Sequence, residues 1–406
     1  MTRLLLLLVV CTIAGRVGAD DPLVPLAEGF LHDGKLADGE TASLLALDTK
    51  PADDEVRFGL GVIQFVRAVE NLGKAMYEYG AVSEKTTQRF LRLPVPRNEN
   101  PSAISYRALG RVLDAFVADL SRAEFTLAGI KDDNVKLRLR LSEITFDFAG
   151  TGMDRTTLLD LLTKLNGGRF DFQKVNDEFR IHFDRGDVAW LRAYCHLLSA
   201  MVEGYRAIDE EPGFARRVKG IFPNVEASTK ETEDDWWQGL NVVDAPRLRR
   251  MRLHLVAVCE LNRETWMHIR NETDDDYEWL PHPGQTEQLG LPLTGERVDF
   301  WLNAMEQLEG LLKGEMLISS YLVIGFHQIA GFKDANDMKG KGLNIRRLLD
   351  DPPADMFNFE RVKAKGVDGK YLEEDNEKPS LDVNAVFMAL QLFSGPFAFA
   401  HAARLN

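Results

Sequence analysis

The sequence has few cysteines, and this scarcity excludes one class of secreted protein. It holds three cysteines in 406 residues, and the first of them, Cys11, lies in an N-terminal apolar run. Small secreted domains that depend on disulfides carry more cysteines than this, so we expect a hydrophobic core to stabilise the chain. Two interpretations stay open for Cys195 and Cys259: two buried free thiols, which we favour, or a single disulfide.

Positive charge is also scarce. The chain has 63 acidic residues against 49 Lys and Arg, which gives a formal net charge of -14. An acidic surface of this kind repels nucleic acid and anionic membranes. The densest group of arginines, at positions 247, 249, 250 and 252, is spread around a predicted helix. We therefore expect no nucleic-acid partner.

Motifs of several enzyme classes are missing as well. The sequence contains no G-x-S-x-G nucleophile elbow, no Walker phosphate loop, no C-x-x-C pair and no H-E-x-x-H zinc motif. These motifs serve serine hydrolases, nucleotide-binding proteins, thiol redox proteins and zinc peptidases, respectively. Their absence leaves binding, or chemistry that uses carboxylates, as the functions to consider.

Residues 1–19 have the three parts of a secretory signal peptide. Arg3 supplies the positive charge, residues 4–13 form an apolar run, and residues 17–19 are small and precede a cleavage site at Asp20. The apolar run is about half as long as the ~20 residues that span a bilayer. We expect an exported protein, periplasmic or secreted, with no transmembrane segment in the mature chain.

The spacing of apolar residues predicts mainly helical structure. Helical stripes run through Leu109–Leu120, Trp190–Val202 and Leu248–Trp266. Asp187 is predicted as the N-cap of the second of these helices, because aspartate is a favoured N-cap residue. The third helix is predicted to follow Asp244.

Two segments in the middle of the chain alternate as strands do. Val135–Leu141 and Phe179–Phe183 place apolar residues at every second position. The alternation resumes out of phase after Ser142 and Glu143, which predicts a β-bulge. The predicted fold class is therefore mainly α, with helical domains and a small two-stranded β element in the middle.

The chain divides into four predicted parts. They are a signal peptide over 1–19, a helical, tetratricopeptide-like segment over 20–127, a small strand-helix-strand-helix unit over 128–210, and a helical domain with long loops over 211–406. The second part matches preferred positions of the 34-residue tetratricopeptide frame. Those positions are Ala46, Pro51, Leu60 and Gly61. The match covers about one and a half degenerate repeats.

A glycine-rich turn follows the first predicted strand. Asp147 fits the first position of a calcium-binding loop, and Thr151 offers an oxygen at the fifth. Ala149 cannot bind a metal, and Leu158 occupies the position of the bidentate carboxylate. The turn is either a lapsed calcium loop or a plain glycine turn, and calcium is the one cofactor that the sequence suggests.

Two clusters combine carboxylates with aromatic rings, a combination that sugar and cation sites use. Candidate ligand-binding residues in the first cluster are Asp234, Asp235, Trp236 and Trp237. Candidate metal ligands in the second cluster are Asp274 and Asp276. The alternative, which we favour, is that the acids cap and solvate helix ends while the tryptophans anchor loops to the core.

Three segments are similar to a known family. Pro51–Gly61, Asp187–Cys195 and Gly342–Arg347 together resemble uncharacterised exported bacterial proteins with a degenerate tetratricopeptide-like N-terminal segment. The resemblance covers most of the mature chain and implies an exported location and a fold, but no activity. Arg346 and Arg347 are candidate ligands for an anion, although solvated arginines at the end of a helix or loop are the simpler interpretation.

Our leading hypothesis is a non-enzymatic binding or scaffold protein of the cell envelope, whose partner is an unknown protein or a glycan. The alternative is a hydrolase, carboxylate-based or metal-dependent, that acts on glycan or other envelope material. We nominate no catalytic residue, because 63 acidic residues offer too many possible pairs. A closed pocket with two facing carboxylates favours the hydrolase, whereas an open groove lined by small and apolar residues favours the scaffold.

Overall fold

The computed structural model describes residues 24–82, 93–165, 180–227, 240–273, 279–280, 282–283, 294–322, 339–358 and 366–382. Over these residues the protein is mainly helical with small antiparallel sheets, which confirms the predicted fold class. None of the described helices is both long enough and apolar enough to cross a membrane. The predicted signal peptide over 1–19 lies outside the described residues.

The helices pack in pairs around the core. In chain order they are α1 (Leu26–His32), α2 (Leu36–Thr49), α3 (Asp54–Glu78), α4 (Tyr106–Ala128), α5 (Leu158–Leu165), α6 (Arg185–Arg206), α7 (Phe214–Val218), α8 (Ala245–Asn271), α9 (Gly295–Lys313) and α10 (Ile345–Asp350). α6 packs along α8, α3 lies between α2 and α4, and α4 also contacts α6.

Aspartates begin two of the long helices. α8 begins directly after Asp244, as predicted, and Asp244 caps it: its side chain accepts a hydrogen bond from the N–H of Arg247 at 3.3 Å. The N-cap of α6 differs from the prediction, because it is Asp184 and the helix begins at Arg185. Asp187 lies three residues further on and accepts a hydrogen bond from the N–H of Asp184 at 3.1 Å. The two aspartates form a capping box, which composition alone does not distinguish from a cap at Asp187.

The two predicted strands pair with each other. β1 (Leu137–Arg140) runs antiparallel to β4 (Arg180–Phe183). In place of the predicted bulge, Leu141–Glu143 forms a 3-10 turn. The turn ends β1, so that β2 (Thr145–Phe146) pairs with β3 (Thr156–Thr157) instead of with β4.

A third small sheet lies near the end of the chain. β5 (Lys341–Leu343) and β6 (Leu372–Glu374) pair antiparallel on either side of α10 in the sequence. This sheet is not evident from the sequence, because its strands are short and the alternation of apolar residues in them is too brief to stand out.

Two glycines of α3 permit close helix packing. A Cβ atom on Gly61 would lie 2.4 Å from Cδ2 of Leu127 on α4, and one on Gly59 would lie 2.8 Å from Cβ of Ala27 on α1. Both distances are too short for a real contact between carbon atoms. α1 and α4 can therefore pack this closely against α3 only because the two glycines have no Cβ atom. The tetratricopeptide-like character of this segment stays a prediction.

One apolar core joins the predicted parts of the chain. Its buried residues include Leu113 of α4, Leu139 of β1, Trp190 of α6 and Trp266 of α8. Residues from 20–127, 128–210 and 211–406 therefore pack into the same cluster, and the predicted boundaries between these parts stay a prediction. A smaller cluster joins α8, α9 and α10.

Candidate functional site

One face of α3 lines a cavity in this core. Its apolar residues recur with helical spacing, which places them on the same side of the helix. They are Phe58, Val62, Phe65, Val66 and Val69. The strands and α5 supply the opposite wall with Leu139, Leu141, Ile144, Phe146, Leu158 and Leu161. α6 and two aromatic residues from separate segments complete the described lining with Asp187, Trp190, Leu191, Phe183 and Trp279.

The cavity is large enough for more than water. Its volume is about 70 Å³, whereas one water molecule needs ~10–15 Å³ measured in this way. Water also needs two or more polar partners, and apolar cavities tend to stay dry or to take apolar molecules. Because the walls are almost wholly apolar, the site favours a small apolar molecule over a water cluster.

A chain of contacting aromatic rings forms one side of the cavity. The ring centroids of Phe58 and Phe183 are 6.4 Å apart, and those of Phe183 and Trp279 are 5.9 Å apart. Trp279 then meets Trp190 in an edge-to-face arrangement at 5.5 Å, and Trp190 meets Tyr194 at 4.4 Å. Such ring pairs are each worth ~0.5–1.5 kcal/mol beyond their buried area. The rings therefore form a firm wall built from three distant segments.

Two indole N–H groups in this wall lack protein partners. Trp190 is 3% exposed and Trp279 is 2% exposed. Among the residues that the structure describes, neither Nε1 atom has a hydrogen-bond acceptor within reach. Trp301, which is also buried, donates by contrast from Nε1 to the side-chain oxygen of Asn262 at 3.0 Å. A buried N–H group without an acceptor lowers the stability of a protein by ~1–3 kcal/mol, so each of these two indole groups is a cost to the fold.

Asp187 brings a carboxylate to the cavity. Its side chain is in the first turn of α6, where the helix dipole favours negative charge, and it accepts the N–H of Asp184 in the capping box. It is the one acidic residue among the described lining residues. The capping box holds the Asp187 side chain in place beside the cavity.

The predicted calcium turn is closed by its own hydrogen bonds. The carboxylate of Asp147 accepts the N–H groups of Thr151 at 3.2 Å and of Gly152 at 2.8 Å. Gly150 and Gly152 have φ angles of 70° and 76°, which glycine adopts readily. Nowhere in the described ranges do three or more His, Cys, Asp or Glu side chains form a group that could hold a metal ion. Calcium binding at Asp147 and Thr151 stays a prediction.

The two candidate arginines lie on α10 and are not among the residues that line the cavity. Nε of Arg346 is 3.4 Å from a carboxylate oxygen of Asp350, and a guanidinium nitrogen of Arg347 is 3.0 Å from a carboxylate oxygen of Glu373. An anionic ligand would have to replace these internal carboxylates, and anion binding here stays a prediction.

Six candidate residues lie outside the described ranges. They are Asp234, Asp235, Trp236, Trp237, Asp274 and Asp276. Trp279, the last residue of the second acidic and aromatic cluster, is described, and its burial against Trp190 agrees with the interpretation that tryptophans anchor these loops.

The cavity is not evident from the sequence. Trp190 belongs to a predicted helical stripe, which α6 confirms, but no local pattern indicates that this stripe faces an unfilled space. The spacing of the α3 residues shows which face of the helix is buried, but not how completely the neighbouring side chains fill the space against that face. The chemistry of the cavity has to be read from its geometry, since comparison with known protein families, with curated proteins and with solved structures finds no match to this chain.

Proposed function

We propose that the protein is an exported, non-enzymatic binding protein that holds a small apolar ligand in its core cavity. The observation that carries the proposal is the cavity between α3, the β1–β2 segment, α5 and α6, with a volume of about 70 Å³ and apolar walls. Burial of apolar ligand surface against these walls supplies ~25 cal/mol per Å² of binding free energy before the costs of association.

The lining favours binding over hydrolysis. A glycosidase needs two carboxyl groups roughly 5–9 Å apart across its substrate, whereas the described lining contributes the single carboxylate of Asp187. A glycan would also bury its hydroxyl groups against apolar side chains, which is costly without hydrogen-bond partners. We therefore place a small apolar molecule ahead of a glycan as the ligand, and an envelope protein partner stays a prediction.

The proposed export rests on residues 1–19. Their charged, apolar and small-residue parts match the pattern that signal peptidase recognises. N-terminal sequencing of the protein recovered from the periplasm or medium of a bacterial host tests this proposal. The expected first residue is Asp20, and a chain that stays in the cytoplasm with residues 1–19 intact would contradict it.

Thermal unfolding with small neutral probes tests the binding function. We suggest methylenecyclohexane and cyclohexanone, because each is a compact molecule with a six-membered ring and one atom attached to it, seven heavy atoms in all. A ligand that binds only the native state at 100 times its Kd adds ~2.7 kcal/mol of stability. For a chain of this size we expect Tm to rise by about 2–5 °C with at least one of the probes.

A variant that fills the cavity shows whether the probes bind there. Val66 lines the cavity, and the flexible side chain of Val66→Met extends into the space. This variant is expected to keep its Tm or to gain a little, and to lose the rise with the probes. Val202 on α6 is also buried but is not among the lining residues.

The matched control is Val202→Met. Overpacking a filled part of the core costs ~1–3 kcal/mol, so the Tm of this variant falls while its response to the probes persists. A full response in Val66→Met, or no response to either probe in the wild-type protein, overturns the proposed function.

A further inference from the structure

We propose that His196 of α6 and His254 of α8 form a binding site for one transition-metal ion, Cu(II) by preference, and that Glu124 orients His196 in this site. The inference goes beyond the proposed function, because none of these residues is among those that line the cavity. It is drawn from the distance between the two rings, from the carboxylate behind one of them and from the two long helices that carry them.

The distance between the rings is the first observation. Nδ1 of His196 lies 2.8 Å from Nδ1 of His254, and the ring planes are 45° apart. Imidazole nitrogens bind transition metals at ~2.0–2.1 Å, so neighbouring corners of a square site are ~2.8–3.0 Å apart and corners of a tetrahedron ~3.3–3.4 Å. The observed separation is that of the square, which is the geometry typical of Cu(II) and Ni(II). The ion binds beside the line between the nitrogens, so each ring turns to direct its lone pair at the ion while the separation is kept.

A carboxylate behind His196 is the second observation. Nε2 of His196 lies 3.7 Å from a carboxylate oxygen of Glu124 on α4, and the same oxygen accepts from Nε of Arg192 at 3.0 Å. A histidine that binds a metal usually directs its other ring nitrogen to a carboxylate or a carbonyl, which fixes the proton on that nitrogen. Glu124 therefore favours the form of His196 in which Nε2 carries the proton and Nδ1 carries the lone pair.

The neutral pair of rings takes up the ion with no net change in protons. Without a metal, His254 donates its Nδ1–H to the lone pair on Nδ1 of His196. When the ion binds, that proton leaves Nδ1 of His254 for solvent, and Nε2 of the same ring takes up a proton from solvent. One N–H bond breaks and one forms, and each of the two Nδ1 atoms gains a bond to the metal in place of a water molecule.

The site is open to solvent. The side chain of His196 is 21% exposed, and His254 is partly exposed. In the described ranges no third His, Cys, Asp or Glu side chain completes a group that could hold a metal. Water therefore occupies the remaining positions around the ion, as it does in sites that keep an open coordination position.

Nearby positive charges are balanced. Arg192 is paired with Glu124 at 3.0 Å, and Arg250, which acts on His254, is paired with Glu203 at 3.1 Å. Each of these guanidinium groups therefore faces a carboxylate, and the repulsion that a cation would feel from it is reduced.

The two helices make metal binding visible as stability. His196 and His254 are 58 residues apart in the sequence and are brought together by the packing of α6 along α8. Unfolding separates the two imidazoles, so the ion binds the native state far more tightly than the unfolded chain. Metal binding is therefore expected to raise the Tm.

Titration with metal ions alone tests the site. The protein is prepared without a histidine tag, freed of metal with EDTA and dialysed. Calorimetry is expected to find one Cu(II) ion per chain, bound more tightly than Ni(II) or Zn(II). At 100 times its Kd, Cu(II) is expected to raise the Tm by about 2–5 °C. Mg(II), which prefers oxygen ligands, is expected to leave the Tm unchanged.

Three variants show where the ion binds. His196→Asn and His254→Asn each leave a single imidazole, so we expect either change to weaken Cu(II) binding to the level of the double variant and to abolish the rise in Tm. His268→Asn is the matched control, since His268 is also partly exposed and lies on α8 about four turns from His254, ~20 Å away. It is expected to bind Cu(II) as the wild-type protein does.

Pulsed EPR of the copper-loaded protein provides a readout that needs no variant. The uncoordinated nitrogen of each bound imidazole modulates the signal, and the wild-type protein is expected to show two such imidazoles. Glu124→Gln is expected to keep both imidazoles and to weaken Cu(II) binding by about tenfold or more, because the positioning carboxylate is lost. An unchanged Kd in Glu124→Gln would show that Glu124 does not orient the ligand.

The outcomes separate this inference from the proposed function. Absence of Cu(II) binding, wild-type affinity in His196→Asn or His254→Asn, or an EPR signal from fewer than two imidazoles would each overturn the site. Val66→Met, which fills the cavity, is expected to bind Cu(II) as the wild-type protein does. A loss of the apolar probes from the cavity therefore leaves this inference standing, and a loss of copper binding leaves the proposed function standing.

Discussion

Two histidines at the contact of α6 and α8 make the stability of the protein depend on pH. Nδ1 of His196 lies 2.8 Å from Nδ1 of His254, a distance at which the two rings share one proton in a hydrogen bond. If both rings are protonated, this hydrogen bond is lost and two positive charges face each other. Nε2 of His196 also lies 3.7 Å from a carboxylate oxygen of Glu124 on α4.

Burial and the neighbouring His196 lower the pKa of His254 from 6.5 to about 4. The guanidinium of Arg250 acts in the same direction, while the carboxylates of Glu203 and Glu124 oppose it. An unfolded chain binds a proton at this histidine near pH 6.5, whereas the native protein resists protonation down to about pH 4. The contribution of His254 to stability is therefore complete above pH 6.5 and is lost as the pH falls toward 4.

The size of the effect follows from these two pKa values. Between pH 7 and pH 5 the difference in proton binding corresponds to about 2 kcal/mol in the free energy of unfolding. The imidazole of His254 is partly exposed, and solvent screening reduces the expected loss to about 1 kcal/mol. The effect is measurable because it falls in a pH range where ordinary carboxylates, with pKa values near 4, stay ionised.

The variant His254→Asn tests this prediction. An asparagine amide places a polar group where Nδ1 stood, keeps a hydrogen-bond partner for His196 and does not titrate. Urea unfolding at pH 7, 6 and 5 gives the free energy of unfolding of each protein. We expect the wild-type protein to lose about 1 kcal/mol more than His254→Asn between pH 7 and pH 5. His268→Asn, on the same helix but outside this pair, is the control and should follow the wild-type protein.

Equal pH dependence of the wild-type protein and His254→Asn would refute the reasoning. That result would mean that the native imidazole takes up its proton as easily as an unfolded one. A steeper dependence in the variant would give the effect the opposite sign and would contradict the role of burial.

Two further predictions concern packing and the ion pair of the buried Arg252. A Cβ atom on Gly73 would lie 2.1 Å from the ring of the buried Phe148, so Gly73→Ala is expected to lower the free energy of unfolding by ~1–3 kcal/mol. A Cβ atom on Gly29 would have no neighbouring atom within 4 Å, so Gly29→Ala should raise the free energy of unfolding by up to ~1 kcal/mol through helix propensity. Urea unfolding that finds Gly73→Ala more stable than Gly29→Ala would contradict this account of the packing. The buried Arg252 bonds Asp350 at 2.8 Å, but the Asp350 side chain is 26% exposed and also pairs with Arg346. Arg252→Met should therefore cost less than the ~3–5 kcal/mol of a fully buried pair, and adding Asp350→Asn should recover part of that loss. A double variant no more stable than Arg252→Met would show that the carboxylate left without Arg252 is not the cause.

Local patterns in the sequence were enough to predict the main elements. α4, α6 and α8 contain the predicted helical stripes, and β1 and β4 lie within the two segments of predicted alternation. The cap of α8 at Asp244 was also predictable, because a cap depends on a few adjacent residues. The predicted N-cap of α6 is three residues too late in the chain. Asp184 and Asp187 are both suitable N-cap residues, and the two act together in a capping box.

The order of the strands needed information beyond the local pattern. The shift of phase near Ser142 is visible in the sequence, yet a bulge and a 3-10 turn produce the same shift. The choice between a bulge and a 3-10 turn depends on which strand the following segment pairs with. Here β2 pairs with β3 and not with β4. The sheet of β5 and β6 joins segments about 30 residues apart that are too short to show alternation.

The sequence by itself determined the class of fold, the main helices and strands, the acidic charge and the identity of the residues that can form a core, because these depend on composition and on neighbours along one element. The tertiary structure decided the cavity, the contact of Trp190 with Trp279 and the pairing of His196 with His254. A cavity of about 70 Å³ is the space left among side chains from several distant segments, so shifts of one ångström in helix packing create or remove it. No periodicity of one element carries that information, because it is a property of how the elements fit together.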